Sequence, residues 1–230
     1  MSCENRIRPA EPLPEVGGAG NSLDRFGFVT PSTKSNLDRF VALLAEWQRV
    51  HNLVSGSAMG EIWSRHVADS LQLLEHAPEF RIWVDLGSGA GFPGLVVAIA
   101  AVENPERRFI LVESNHKKAA FLRAAIRQTG ANAEVAAERI EEHAPKMAGH
   151  ADIVSARALA PLSRICGLAA PYMNPRSALL LLKGGAFGSE EKAARKSWVY
   201  DKLTFASATD PDGQVAVIRN LHRKVGSDEP

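Results

Sequence analysis

The segment Trp83–Gly94 constrains the fold most. An apolar run closes on Asp85, glycine follows at Gly87, Gly89 and Gly91, and the apolar stretch Leu95–Ala101 continues beyond Pro93 and Gly94. This order predicts strand, tight turn and helix. Glycine lets the backbone turn through conformations closed to other residues, and lets a ligand approach the main chain with no Cβ in the way. Proline suits a first helical turn, where its missing N–H leaves nothing unpaired. A turn of this kind cradles a nucleotide-like cofactor.

The glycines fit two cofactor registers. Gly89-Ala-Gly91-Phe-Pro-Gly94 matches the G-x-G-x-x-G of dinucleotide binders. Asp85-Leu-Gly87-Ser-Gly89-Ala-Gly91 matches the D-x-G-x-G-x-G of S-adenosylmethionine (SAM) binders, and it sets the first glycine directly after the strand. A second β-prone run, Arg108–Glu113, ends in an acid at close to the ~20-residue spacing expected of a ribose ligand. Glu113 can accept hydrogen bonds from both ribose hydroxyls, which suits SAM and NAD alike.

The chain has 230 residues, 45% of them hydrophobic, and a net charge of +1. That is enough for one α/β domain of ordinary soluble composition. No apolar run approaches the ~20 residues needed to span a bilayer. The N-terminus carries no apolar core of a secretory signal, so a cytoplasmic protein with no membrane partner is expected. Cys3 and Cys166 are too few for a disulfide framework and lack metal-ligand spacing, so no metal is expected. Nucleic-acid contact must come from local clusters of positive charge, because the overall field is weak.

Residues 1–30 hold Pro9, Pro12, Pro14 and Gly17-Gly-Ala-Gly20 with few large apolar side chains, and read as a disordered tail. The same holds for 226–230. Residues 31–225 read as a single domain, with a helical cap over 31–78 and an α/β core over 79–225. In the cap, Leu37, Phe40, Val41, Leu44, Trp47 and Val50 recur at helical spacing and predict a helix over Ser35–His51. A second amphipathic helix is predicted over Met59–His76. Trp47 and Trp63 read as core residues.

Beyond the glycine turn, helices are predicted over Pro93–Asn104, His116–Thr129, Pro161–Met173 and Ser189–Ser197. Strands are predicted over Ala133–Ala136, Ala151–Ser155, Ala178–Lys183, Lys202–Ala206 and Gln214–Asn220. The alternation implies a parallel sheet covered on both faces. Asp210-Pro-Asp-Gly213 is a turn sequence short enough for an antiparallel hairpin. A terminal hairpin fits the sheet of SAM-dependent methyltransferases better than the all-parallel nicotinamide domain. The expected fold is α/β and Rossmann-like: a class I SAM-dependent methyltransferase with a seven-stranded, mostly parallel sheet, a terminal antiparallel hairpin and an N-terminal helical cap.

The chemistry narrows by exclusion. The segment after the fourth strand reads Ser155-Ala-Arg157-Ala, not the N/D-P-P-Y of base-amino methyltransferases. Neither cysteine follows a strand in a Pro-Cys or Thr-Cys context, so attack on pyrimidine C6 is unsupported. Transfer to an already nucleophilic atom remains. Guanine N7 fits, because its lone pair lies in the ring plane and carries no proton. Its methylation needs proximity and alignment more than a base, and no catalytic residue is assigned.

Five segments together resemble the RsmG (GidB) methyltransferases over about Leu37 to Leu221. They are Trp47-Gln-Arg-Val-His-Asn-Leu-Val-Ser55, Arg65-His-Val-Ala-Asp-Ser70, the glycine turn with Phe92-Pro-Gly94, Lys117-Lys-Ala-Ala-Phe-Leu-Arg123, and Ser155-Ala-Arg157-Ala with Leu182-Lys-Gly184. The resemblance implies a cytoplasmic, monomeric enzyme that methylates one guanine N7 of 16S rRNA, free or in the small ribosomal subunit. It places SAM against Gly87, Phe92, Ile140, Glu141 and Arg157, beside the ribose acid Glu113. Relatives often carry Asp at that last position. Arg157 would pair with the methionine carboxylate or with an RNA phosphate. Arg65, His66 and Lys183 are the candidate RNA contacts. Lys117, Lys118, Arg123 and Arg127 share one helix that ordinary surface helices also resemble. A methyltransferase with a protein or small-molecule acceptor, a nicotinamide-dependent oxidoreductase and a SAM-sensing ribosome-binding factor stay open alternatives.

Overall fold

The computed structural model describes residues 23–55, 59–224 and 226. Strands β1 (Ile82–Leu86), β2 (Arg108–Val112), β3 (Ala133–Ala136), β4 (Ala151–Arg157), β5 (Met173–Lys183), β6 (Trp198–Ala206) and β7 (Gln214–Arg223) form one sheet in the order β3-β2-β1-β4-β5-β7-β6. The first five run parallel. β7 is antiparallel to both β5 and β6, which makes the expected terminal hairpin. The order reverses between β1 and β4, and in open α/β sheets that reversal opens a crevice beyond the strands' carboxyl ends.

Side chains alternate between two apolar layers. Trp83, Phe109, Leu111, Ile153, Leu180 and Val217 face one side. Val84, Ile110, Val154, Leu181 and Ile218 face the other. The first layer is covered by α1 (Pro31–Gln48), α2 (Ala68–His76), α3 (Gly94–Ala100) and α4 (His116–Thr129), through Leu37, Leu71, Leu95 and Phe121. The short α5 (Ile140–His143) follows β3. The second layer is covered by α6 (Leu162–Ala169) and α7 (Phe187–Ala194), through Leu162, Ile165 and Phe187. Each large side chain so buried contributes about 1.5–3 kcal/mol.

The tail expected over 1–30 is corrected at its end. Residues 1–22 lie outside those described, but Leu23 and Phe26 are buried in the first layer. Two apolar side chains four-fifths of the way along a Pro/Gly-rich stretch suffice to dock its last turn. Helix α1 starts four residues before the predicted Ser35. Thr30 caps it by accepting from Thr33 N at 3.2 Å, and Pro31 takes the first turn. It ends at Gln48, whose amide closes the next loop by accepting from Leu53 N and donating to Val54 O. The second cap helix is not uniform. Ile62–Val67 is a wide turn in which Ala68 N reaches Trp63 O, five residues back, and this widening carries Arg65 and His66. Helix α4 and strand β3 match their predicted bounds. Helix α3 is shorter than predicted, with Pro93 at its cap.

One buried carboxylate joins three elements. Asp85, 1% exposed at the end of β1, accepts from Gly94 N at 3.2 Å and from Ser155 Oγ at 2.6 Å. Ser155 in turn accepts from Trp83 Nε1 at 2.7 Å. The start of α3 lies so close that a Cβ on Gly94 would stand 2.5 Å from Asp85 Cβ. Gly94→Ala is therefore expected to lower the unfolding free energy by about 1–3 kcal/mol, the usual cost of overpacking. Gly184→Ala, with no atom within 4 Å of the new Cβ, should change it by less than about 0.5 kcal/mol. Urea unfolding measures both; equal effects would mean that the close approach carries no energetic weight.

Candidate functional site

Gly87, Gly89 and Gly91 have φ of 67°, 56° and 96°, a region that other residues rarely adopt. Gly87 N and Ser88 N both donate to Val112 O, at 2.9 and 3.1 Å, which ties the turn to the end of β2. A Cβ on Gly91 would meet Leu95 at 3.0 Å and Phe40 at 3.3 Å. A Cβ on Gly87 would meet the tip of Leu159 at 2.7 Å, so this position is closed by strain and by a neighbouring side chain.

The turn opens on a cavity of about 320 Å³ lined by Gly87, Gly89, Glu113, Ile140, Glu141 and Arg157, among others. Glu113 leans back over the turn. Its Oε2 accepts from Gly89 N at 2.8 Å and its Oε1 from Asn115 N at 2.7 Å. Each oxygen keeps a lone pair for a further donor. Ile140 is held from below: the buried Tyr172 hydroxyl donates to Ile140 O at 2.9 Å and accepts from His143 Nδ1 at 3.1 Å. That leaves the ring of His143 as the Nδ1–H tautomer.

A second cleft, of about 430 Å³, adjoins the first. Arg157, Ala158, Leu159 and Ala160 line both. This shared wall is the end of β4 and its loop, and Ala158 holds an unusual φ of 50°, the kind of local strain that concentrates at functional sites. The outer cleft also carries three ion pairs. Arg157 Nη2 lies 3.7 Å from Asp69 Oδ2, Arg65 Nη2 lies 2.8 Å from Asp210 Oδ2, and Lys183 Nζ lies 2.7 Å from Glu190 Oε2. Arg157 Nη2 also donates to Arg65 O at 2.8 Å, while its Nη1 is buried without an acceptor. A buried donor left unpaired costs about 1–3 kcal/mol, so this guanidinium is only partly satisfied by the protein.

The structure brings together five of the six residues predicted at the cofactor: Gly87, Glu113, Ile140, Glu141 and Arg157. Phe92 does not line that cavity. It is 8% exposed, and its ring packs between Phe40 and His66, with centroids 5.5 and 5.2 Å away. Arg65 and Lys183 line the outer cleft, whereas His66 lies behind it on Phe92. Lys183 is only 10% exposed, and its charge is matched by Glu190. Arg157 is the last residue of β4, opposite Leu182, and not a residue of the following loop. Sequence reasoning left Asp69 without a role and did not single out Leu159 or Tyr172. Cys166 is buried and its thiol is pushed up to about 12, so it is inert; Cys3 lies outside the described residues. Among the described residues no cluster suits a metal ion.

A family model described as "rRNA small subunit methyltransferase G" matches residues 33–216. The chain is 48% identical over 195 residues to a protein of Cereibacter sphaeroides, covering 84% of this chain and 93% of that one. It is 46% identical over 213 residues to a protein of Parvibaculum lavamentivorans, covering 90% and 94%. Both are named "Ribosomal RNA small subunit methyltransferase G". Among solved structures, "cofactor-bound Rv0187 from MTB" aligns with a TM-score of 0.54 at 16% identity, over 86% of this chain and 95% of that one. "MtNAS in complex with MTA and tNA" aligns at 0.55 and 11% identity, over 82% and 72%. These two show a shared fold.

His66 is neutral near pH 7. Burial and the neighbouring Arg157 and Arg65 lower its pKa to about 4. Between pH 6.5 and 4 the unfolded chain binds a proton at this ring and the folded chain does not, so stability falls as pH falls. Asp85 acts oppositely: burial raises its pKa to about 6, so the folded chain takes up that proton first. The difference between wild type and His66→Gln isolates the histidine. Wild type is expected to lose melting temperature relative to His66→Gln as pH drops from 7 to 4.5. A gap that does not change with pH would show that His66 is not held neutral.

Proposed function

The chain belongs to the rRNA small subunit methyltransferase G family, and on that premise we infer that it transfers a methyl group from SAM to guanine N7 of 16S rRNA. SAM supplies an electrophilic methyl on a sulfonium sulfur. The glycine-turn cavity is the fitting place for it. Glu113 has lone pairs for the ribose hydroxyls, Ile140 offers an apolar surface for adenine, and Glu141 edges it. Gly87 keeps the main chain open to the ligand. Arg157, on the cavity wall, supplies a positive charge for the methionine carboxylate. Phe92 shapes the turn by packing, since its ring is committed to Phe40 and His66.

The outer cleft then receives the acceptor base across the shared wall. The observation that carries N7 is the pairing of every carboxylate there: Asp69 with Arg157, Asp210 with Arg65, and Glu190 with Lys183. Each of the three is engaged with a cation, which suits an acceptor that has no proton to lose. Guanine N7 carries no proton, so the chain's contribution is alignment and exclusion of water. Arg65, about half exposed at the cleft's edge, and Lys183 face the nucleotide, with His66 behind them as packing. Cavity and cleft are completed within one chain, which fits a monomer. No described helix is long and apolar enough to cross a membrane; separately, a ribosomal substrate supports a cytoplasmic location.

Small-subunit rRNA from cells with the protein is expected to cleave at one guanine after borohydride reduction and aniline, because N7 methylation weakens the ring. RNA from cells without it should stay intact there. The methylation rate should be flat between pH 6.5 and 8.5, and RNA affinity should fall as salt rises, through counterion release. Methyl incorporation on a ribose, an exocyclic amine or a protein would sink the N7 assignment.

A further inference from the structure

Asp69 occupies a junction that no assigned role explains. It sits at the start of α2, largely buried, and reaches two parts of the molecule that are distant in sequence. On one side its Oδ2 faces Arg157 Nη2 at 3.7 Å, at the wall shared by cavity and cleft. On the other its Oδ1 accepts from the Thr209 hydroxyl, in the β6–β7 turn that forms the cleft's far side. Two neighbours extend the hold on that turn. Gln72 donates to Asp69 Oδ1 at 3.2 Å and accepts from Ala208 N at 2.7 Å, and Arg65 grips Asp210. Arg65 O also accepts from Arg157, so both guanidinium contacts of Arg157 come from this helical segment.

We propose that Asp69 is a positioning residue for methyl transfer: it sets Arg157 on the shared wall and the Ser207–Asp210 turn opposite, and so fixes the width of the acceptor cleft relative to the bound methyl donor. The proposal rests on the functional reading above. Transfer between two bound groups depends on sub-ångström placement, and about 1 Å of misplacement costs up to about a hundredfold in rate. A carboxylate that pins both walls controls that distance without touching either reactant. Its two oxygens divide the task, one to each wall, which makes the arms separable.

Asp69→Asn keeps an oxygen for Thr209 and removes the charge from Arg157, whereas Thr209→Val cuts the turn and leaves Arg157. Both are assayed on small subunits from cells lacking the protein, with SAM calorimetry, thermal unfolding and amide exchange beside the kinetics. Asp69→Asn is expected to weaken SAM binding severalfold and lower kcat by at least about tenfold, with the KM for the subunit within about threefold. Thr209→Val is expected to speed exchange over residues 207–210 and raise that KM, with SAM affinity unchanged. Asp69→Asn with wild-type SAM affinity and kcat, or losses that only track its melted fraction, would overturn the proposal. If the wild-type chain puts no methyl on the subunit, the rRNA reading falls. SAM affinity in Asp69→Asn and exchange in Thr209→Val then still decide whether Asp69 sets the two walls.

Discussion

The site depends on the hydrogen bonds of Asp85. A carboxylate that is fully buried would ordinarily destabilise a fold by several kcal/mol unless its oxygens are satisfied. Here they accept from the backbone at the start of α3 and from Ser155 on β4, which are the two elements flanking the crevice. The strand end, the turn and the first helical residues are thereby locked at one distance. The turn's positive-φ glycines are held in place by that lock and by the carbonyl of Val112. The cavity above them is therefore shaped before any ligand arrives, which reduces the ordering cost of binding.

The outer cleft has a different electrostatic character from what its arginines and lysine suggest. Each cation is matched by an acid within the protein, so the cleft presents polar edges and little net charge. Partly buried pairs of this sort contribute little to stability by themselves, but removing one partner strands the other and is costly. The fold thus retains these pairs as struts. On the proposed reading, a planar, uncharged base would enter such a cleft without meeting a large net charge.

Much of this was legible in the sequence, because the signals were local. The glycine turn, the acid after β2, the helix over His116–Thr129 and the hairpin turn each announce themselves within a few residues. The site's remaining parts are tertiary. Asp69 and Thr209 lie 140 residues apart, and nothing in Arg65-His-Val-Ala-Asp-Ser70 reveals that partner. Lys183 reads as a free cation until helix α7 folds Glu190 back onto it. The family resemblance put Phe92 against the cofactor, yet its ring is claimed by Phe40, from a helix that precedes the sheet in the chain. The buried Leu23 and Phe26 were obscured by the proline- and glycine-rich composition around them.

The clamp between α2 and the β6–β7 turn also separates the two halves of the site along the chain. Cavity residues run from Gly87 to Leu168, so that half of the site can close once the sheet has grown through β4 and α6. The outer cleft needs Ser207 to Gln214, and closing a loop from residue 69 to residue 209 is entropically slow. Without the β6–β7 hairpin the smaller cavity keeps its lining residues, whereas the outer cleft loses one wall. The outer cleft is therefore complete only with the β6–β7 hairpin docked on α2, through Asp69 and Thr209, 140 residues apart.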